Sequence, residues 1–354
     1  MRSRRCPAIV LVAALIAWTS VARAEVQLSD VGSALPIPGN VKGYEISANS
    51  ARVVYRANQD SNSVSGLYSV PIAGGTVTKL NDVIVSGGGL ESFEISPDSA
   101  DVVYLGDQDT VGVPELYSVS IMGGMVIKLN DTLVGGGRVA EYLISPDSSR
   151  VVYRAEQDVD NKNELHSVPI AGGTVTKLNA VMPDSRDVFA ATQISPDSTR
   201  ALYRSNPNVI SEAELFSVPI AGGASTTLNG TLAPFGGVSS FSISPNNARV
   251  VYRADQELDG KFELYSVPLL GGTDTNLSGA LPNFADVQNK FKISADSTRV
   301  VYRVDRDTDD VYELYSVPIA GGTQTELNGV LVNGGNVQTP EISPDSTRVV
   351  YVAE

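Results

Sequence analysis

The chain has 354 residues and a formal net charge of −14, from 26 basic and 40 acidic side chains. This acidic balance argues against binding to nucleic acid or to an anionic membrane surface, and it permits cations or a basic partner. A single Cys excludes a framework of disulfides.

Residues 1–24 have the pattern of a secretory signal peptide. Basic residues stand near the start, an apolar stretch follows over 8–18, and a small-x-small site predicts cleavage after Ala24. We therefore expect an exported chain, periplasmic or extracellular, with no membrane insertion after cleavage. Cys6 and Trp18 would leave with the signal, and the mature charge would become −18 because four Arg and no acidic residue leave with it.

The remaining chain, residues 25–354, repeats one motif of about fifty residues, and we expect a single domain. Its anchor, an Ile-Ser pair, recurs in steps of 49 or 50 residues. Self-similarity at such a period is typical of a propeller, a solenoid or an array. The anchor isoleucines are Ile46, Ile95, Ile144, Ile194, Ile243, Ile293 and Ile342.

One repeat contains four strand-like segments in chain order. In the third copy strand A covers 141–145, a Pro-Asp-Ser turn follows, and strand B covers 150–155 with its β-branched and aromatic residues. A polar, acidic loop leads to strand C over 164–170, and Ala-Gly-Gly connects it to strand D over 174–178. Four antiparallel strands in this length predict the blade of an all-β propeller.

The number of blades follows from counting the segments. Strands A and B occur seven times, whereas strands C and D occur six times. Residues 25–29 resemble a D strand, so we predict seven blades, with an incomplete closing blade shared by the N- and C-termini. Six blades with a leftover hairpin are the alternative.

The motif "ISPDSTRVVYRAD…ELYSVPIAGG" resembles the TolB-type propeller repeat, over essentially all of residues 25–354. The Trp-Asp pair of WD-repeat proteins is absent. Two departures from the TolB pattern stand out: the Gly of the family's "SPDG" turn is Ser or Asn in every copy, and the separate N-terminal domain of TolB is missing. The resemblance therefore implies the fold and not the role of TolB in envelope complexes.

The loops indicate where function lies. A–B and C–D turns are short and nearly invariant, whereas B–C and D–A loops are long and variable and would share one face of a propeller. Binding residues concentrate on such loops. We therefore expect a protein, peptide or glycan ligand on that face.

Three B–C loops carry acidic residues at positions 1, 3, 5 and 9, a spacing that can gather oxygen ligands for Ca²⁺ and resembles the hairpin calcium loops of integrin-type propellers. Ordinary acidic hairpin loops are the alternative. The loop beginning at Asp107 is partial, and those beginning at Asn58 and Ser205 have lost the pattern. The candidate ligands are Asp305, Asp307, Asp309, Glu313, Asp255, Glu257, Asp259, Glu263, Glu156, Asp158, Asp160 and Glu164.

A catalytic set is hard to assemble from these residues. The mature chain has no Cys, one His and no Gly-x-Ser-x-Gly elbow, and His166 occupies a strand C position that is Tyr or Phe in sibling copies. A non-catalytic binding scaffold is therefore favoured. The alternative is a propeller hydrolase or lyase whose metal is held near the central axis by carboxylates such as Asp187 or Asp286. The Arg that begins strand B is expected to pair with the acidic turns.

Overall fold

The computed structural model describes residues 40–60, 64–183, 186–207, 213–331 and 335–353. Its regular elements are all β-strands, as the repeat predicted. None of the described residues belongs to a helix long and apolar enough to cross a membrane. The predicted signal peptide and the D-like segment 25–29 lie outside the described residues.

The strands form antiparallel sheets, which we number as blades 1 to 7 in chain order, and within blades 1 to 6 they pair in the order A, B, C, D. Blade 1 contains β1 (Val41–Ile46), β2 (Arg52–Ala57), β3 (Gly66–Pro71) and β4 (Thr78–Lys79). Blade 2 contains β5 (Leu90–Ile95), β6 (Asp101–Gly106), β7 (Glu115–Ser120) and β8 (Ile127–Lys128). Blade 3 contains β9 (Val139–Ile144), β10 (Arg150–Ala155), β11 (Glu164–Pro169) and β12 (Thr176–Lys177).

The later blades repeat this pattern. Blade 4 contains β13 (Gln193–Ile194), β14 (Arg200–Ser205), β15 (Glu214–Pro219) and β16 (Thr226–Thr227). Blade 5 contains β17 (Val238–Ile243), β18 (Arg249–Ala254), β19 (Glu263–Pro268) and β20 (Thr275–Asn276). Blade 6 contains β21 (Lys292–Ile293), β22 (Arg299–Val304), β23 (Glu313–Pro318) and β24 (Thr325–Glu326). Blade 7 contains β25 (Glu341–Ile342) and β26 (Val349–Val350).

The described chain thus has six four-stranded blades and a two-stranded seventh blade. This confirms the prediction of seven blades with an incomplete last one. Of the described residues, those within Met1–Asn161 and Ser167–Val175 form one compact unit, and those within Lys162–His166 and Thr176–Glu354 form a second. Blades 1 and 2 belong to the first unit, blades 4 to 7 belong to the second, and the division crosses blade 3.

The hydrophobic core lies between neighbouring blades within each unit. In the first unit Val103 and Leu116 of blade 2 pack with Val151 and Tyr153 of blade 3. Strands B and C are buried on both faces, which explains why "VVY" is continuously apolar and does not alternate. Burying each such side chain stabilises the fold by about 1.5–3 kcal/mol.

The A–B turns explain why Ser replaces the glycine of the family pattern. Ser148 has a φ of 61°, the left-handed region that favours Gly. Its hydroxyl accepts a hydrogen bond of 3.0 Å from the backbone N–H of Asp98 in blade 2. Asp296 of blade 6 donates to Ser346 of blade 7 in the same way, at 3.1 Å. In these turns the side chain therefore makes a bond to the preceding blade that Gly could not make.

The Arg that begins strand B has a partner other than the expected acidic turn. Arg150 donates from Nε to Ser167 of strand C at 2.7 Å, and Arg249 donates to Ser266 at the same distance. The Asp of the turn instead accepts from its own loop, as Asp98 does from Ser96 at 2.6 Å and from the backbone of Ala100 at 3.0 Å. The expected pairing was wrong because a serine hydroxyl on strand C lies directly beside the guanidinium.

Candidate functional site

The B–C and D–A loops of a blade meet at one end of its sheet, because strands A and B and strands B and C are antiparallel. At this end the first residue of the B–C loop connects the two loops. Asp107 accepts hydrogen bonds from Gly89 at 2.5 Å and from Gly112 at 2.9 Å. Asp305 accepts from Asp286 at 2.6 Å and from Asp310 at 3.3 Å.

Asp255 repeats this arrangement in blade 5. Its carboxylate accepts from the backbone of Gly237 at 2.6 Å and of Gly260 at 3.0 Å. Gly260 has a φ of 77°, which accounts for glycine at this sharp turn. The position 1 carboxylates of Asp107, Asp255 and Asp305 are thus occupied by backbone donors. In blade 3, Glu156 stands at the same position and is partly buried.

The fourth B–C loop begins one residue later than the sequence reading placed it. Ser205 pairs with Glu214 as the last residue of strand B, just as Ala254 pairs with Glu263. Position 1 is therefore Asn206, whose side-chain oxygen accepts from the backbone of Asp187 at 3.0 Å. The assignment to Ser205 was wrong by one residue, and this loop keeps the connecting side chain.

Position 9 of the loop is the buried first residue of strand C. Glu164 forms ion pairs with Lys177 and, at 3.5 Å, with Lys162. Glu263 lies 3.7 Å from Lys261 and accepts from the Tyr265 hydroxyl at 2.9 Å.

Glu313 also lies at position 9 and accepts from the backbone of Arg306 at 3.1 Å. Burial raises its pKa. These three glutamates therefore have partners within their own blades.

Positions 3 and 5 of the three loops point to solvent, and the exposed residues are Asp158, Asp160, Glu257, Asp259, Asp307 and Asp309. The structure brings Asp305, Asp309 and Asp310 together, with one carboxylate oxygen of each within 4.8 Å of the others. Asp310 was missed because its siblings at that position are Gly112, Gly260 and Asn161. The sequence signal that could have identified Asp310 is an acidic residue at a position where the sibling loops have Gly or Asn. In the structure this residue has a φ of 62°. Calcium binding stays a prediction.

The two carboxylates suggested for a metal-dependent enzyme also bind the backbone. Asp187 accepts from Asn163 at 2.8 Å, and Asp286 accepts from Phe262 at 2.6 Å. Burial raises the pKa of Asp286, although the charge of Arg253 opposes the shift. Both carboxylates thus hold neighbouring loop backbones in place.

His166 is buried on β11, with 1% of its surface exposed. Its siblings stack an aromatic ring on the strand B tyrosine of their blade, as Tyr265 does on Tyr252 with ring centroids 5.3 Å apart. This placement is that of a core position.

Sequence reasoning also missed a cleft between strands A of blades 1 and 2. It has a volume of about 320 Å³. Its lining residues are Gly43, Tyr44 and Glu45 of β1, Arg56 of β2, and Glu91, Ser92 and Phe93 of β5. Arg56 pairs with Gly43 towards the B–C end of the sheet, whereas Glu45 reaches Ile95 beside the A–B turn, so the cleft runs along the two strands.

Polar contacts fix the walls of this cleft. Arg56 donates from Nη1 to the carbonyls of Leu90, at 2.5 Å, and Glu91, at 2.7 Å. Glu45 accepts from the backbone of Ile95 at 3.0 Å, and burial raises its pKa. A register shift between Leu90 and Ser92 makes Glu91 a β-bulge, which turns its side chain outward.

Comparison with solved structures identifies the fold. A structure from a study of two prolyl endopeptidases matches with a TM-score of 0.51 at 14% identity, over 89% of this chain and 46% of that chain. The chain has the β-propeller fold. It spans about half the length of that relative, and at this identity the likeness concerns the fold alone.

Two other solved structures match with lower TM-scores. An oligogalacturonate lyase in complex with manganese matches with a TM-score of 0.44 at 14% identity, over 89% of this chain and 87% of that chain. A protein described as a TolB from Agrobacterium tumefaciens, the type that the repeat resembles, matches with a TM-score of 0.37 at 18% identity, over 68% and 80%. No family model and no curated protein matches the chain.

Proposed function

We propose that this chain is an exported, non-catalytic β-propeller that binds a basic polypeptide partner through its B–C and D–A loops. Export rests on the signal-peptide pattern of residues 1–24. The net charge of −18 left after cleavage supports a basic partner, because opposite charges speed encounter. The same negative charge repels nucleic acid.

The observation that carries the proposal is a division among the loop carboxylates. Buried carboxylates such as Asp255 and Asp305 are held by backbone donors. Within the described residues, by contrast, the exposed carboxylates of Glu257, Asp259 and Asp307 make neither a hydrogen bond nor an ion pair. The loop tips therefore present negative charge that the fold itself does not use.

Like charges at neighbouring tips repel one another, and a basic partner relieves that repulsion. Each exposed ion pair contributes only about 0.2–1 kcal/mol, so several together are needed for useful affinity. Attraction of this kind weakens as salt is added, since the Debye length is about 8 Å at physiological ionic strength.

The proposal is tested by calorimetric titration with a lysine-rich peptide. The double variant Asp307→Asn/Asp309→Asn is expected to bind about 3- to 10-fold more weakly than the parent chain. A matched control is Asp296→Asn/Asp345→Asn, which removes two charges from A–B turns. Asn is tolerated there, because Asn49 and Asn246 occupy the same turn position and accept the same bonds from Ala51 and Ala248.

The control is expected to bind like the parent chain. Equal weakening of both double variants would mean that net charge, and not the loop face, attracts the peptide. Unchanged binding of the loop variant would contradict the proposal directly.

A further inference from the structure

The cleft of residues 43–45, 56 and 91–93 contains an aromatic ring that the fold leaves uncovered. Tyr44 is 55% exposed. The aromatic residues at the same position in four other blades pack against hydrophobic clusters of their own unit, namely Phe93 and Tyr142 in the first unit and Phe241 and Phe291 in the second. Tyr44 therefore offers a ring face that its siblings use for the core.

The charges around this ring favour a cation. Glu45 and Glu91 line the cleft together with a single guanidinium, that of Arg56. Arg56 directs Nη1 onto two backbone carbonyls of β5, so that this donor is already occupied. Two carboxylates against one guanidinium leave an excess of negative charge beside an aromatic face, which is the setting for a cation–π contact.

The size of the cleft limits what can enter. Its volume of about 320 Å³ lies at the lower end of the range of ligand pockets, and it is open to solvent on one side. It therefore fits one long side chain better than a large rigid molecule. A lysine or arginine also has an aliphatic stem that can lie against Tyr44 and Phe93 while its charge reaches a carboxylate.

We propose that this cleft accepts a lysine or arginine side chain of the partner polypeptide. The inference rests on the proposed function and deepens it, since it assigns one anchoring side chain of that partner to a defined cleft in blades 1 and 2. The loops would attract the partner from a distance, and the cleft would fix its register.

The sequence provides a clean spectroscopic test. The only Trp of the chain is Trp18, inside the predicted signal peptide. In the chain from residue 25, Tyr44→Trp therefore places a single tryptophan at the cleft and keeps an aromatic face. Acetyl-Gly-Lys-Gly-amide and its Arg, Glu and Gly counterparts are titrated to about 10 mM, because one cation–π contact with one ion pair gives millimolar affinity. A neutral disaccharide is the remaining probe.

The Lys and Arg peptides are expected to change the fluorescence saturably, and the Glu and Gly peptides are not. Adding Glu91→Gln should weaken the Lys peptide at least threefold, whereas Asp296→Asn should leave it unchanged. Gly43→Ala should weaken the response while the chain stays folded, because a Cβ at Gly43 has no atom within 4 Å and enters open space.

Saturation by the disaccharide and not by the Lys peptide would replace the inference with a glycan site. Absence of any saturable change would also overturn it. Either result leaves the proposed function standing if the lysine-rich peptide still depends on Asp307 and Asp309. A different result would refute only the proposed role of the loops. In that result, the lysine-rich peptide would bind equally well without the Asp307 and Asp309 carboxylates, while the Lys peptide would still change the fluorescence.

Discussion

Ser148 shows how one side chain in an A–B turn links two blades. The residue stays in the left-handed region, at a φ of 61°, because its hydroxyl accepts the backbone N–H of Asp98 at 3.0 Å. A non-glycine residue in this region costs of order 1 kcal/mol or more, and a hydrogen bond returns a comparable amount. The repeat keeps Ser or Asn at this position in all seven turns, over Ser50, Ser99, Ser148, Ser198, Asn247, Ser297 and Ser346.

The two effects can be separated by two substitutions. Ser148→Ala loses the hydrogen bond and keeps the backbone strain, so we expect a loss of about 1–2 kcal/mol in the free energy of unfolding. Ser148→Gly loses the same bond but relieves the strain, so its loss should be smaller. Urea unfolding of both variants measures the difference. Equal losses would show that the positive φ costs nothing at this turn.

Glu94 gives a prediction for pH dependence. Burial, and then the charge of Glu45, raise the pKa of Glu94 in the folded chain. Between the ordinary carboxyl pKa and the raised one, the folded chain binds more protons than the unfolded chain, so stability falls as pH rises through that window. Glu94→Gln should therefore raise the melting temperature at pH 7 and have less effect well below pH 4.5, the ordinary value for this carboxyl.

Glu91→Gln is the matched control for this variant, because it removes an exposed carboxylate from the same strand. Its melting temperature should differ little from that of the parent chain at either pH. A gain for Glu94→Gln that is as large at low pH as at neutral pH would contradict the assigned cause.

Among the elements, the B–C loop of blade 6 differs from its siblings. Asp310 stands at a φ of 62°, where Gly112 and Gly260 both have a φ of 77° in their own loops. Its carboxylate lies with those of Asp305 and Asp309. A carboxylate retained at a position that suits glycine is consistent with the sequence prediction of calcium in this loop.

Thermal melts with Ca²⁺ and with a chelator test that prediction. Calcium at about 100 times its dissociation constant should stabilise the fold by about 2.7 kcal/mol. Asp310→Gly should reduce this stabilisation, and without calcium the variant should be at least as stable as the parent because it relieves the positive φ. An unchanged melting midpoint on adding calcium to the parent chain would contradict the prediction.

The central strands were predictable from the sequence to within a residue or two, because each is buried on both faces and bounded by strong turn signals. Strand B of blade 3 was predicted at 150–155 and is Arg150–Ala155. Strand D was predicted at 174–178 and is only Thr176–Lys177, since an outer strand pairs on one side. Strand A shortens to Gln193–Ile194 in blade 4, where just one further bridge joins Val188 to Ser205.

The candidate site was less predictable, because its chemistry depends on neighbours that are distant in sequence. Asp255 has the same residue type and spacing as a calcium ligand, yet its partners are backbone donors at Gly237 and Gly260. The exposure of Tyr44 is not visible in the repeat either, since Phe93 occupies the equivalent position and packs on the core. Periodicity reveals what the copies share, whereas function here lies in how they differ.

At the scale of the whole molecule, the repeated strands and turns give every blade the same framework, and the variable loops provide charge. Polar groups of the A–B turns form hydrogen bonds within and between blades. Asp296 accepts from Thr298 in its own turn and donates from its backbone to Ser346 of blade 7. The opposite ends of the blades present exposed carboxylates such as Glu257 and Asp307. This asymmetry between the two ends predicts that a basic partner contacts the end that carries the B–C and D–A loops.

Amide hydrogen exchange with and without a saturating lysine-rich peptide locates the contact with such a partner, because it reports protection residue by residue. We expect slower exchange in the B–C loops at 256–261 and 306–311 and in the cleft at 43–45 and 91–93. Exchange in the A–B turns at 246–249 and 296–299 should stay unchanged. Protection of those turns, or equal protection at both ends of the blades, would contradict binding of the partner at the B–C and D–A loops.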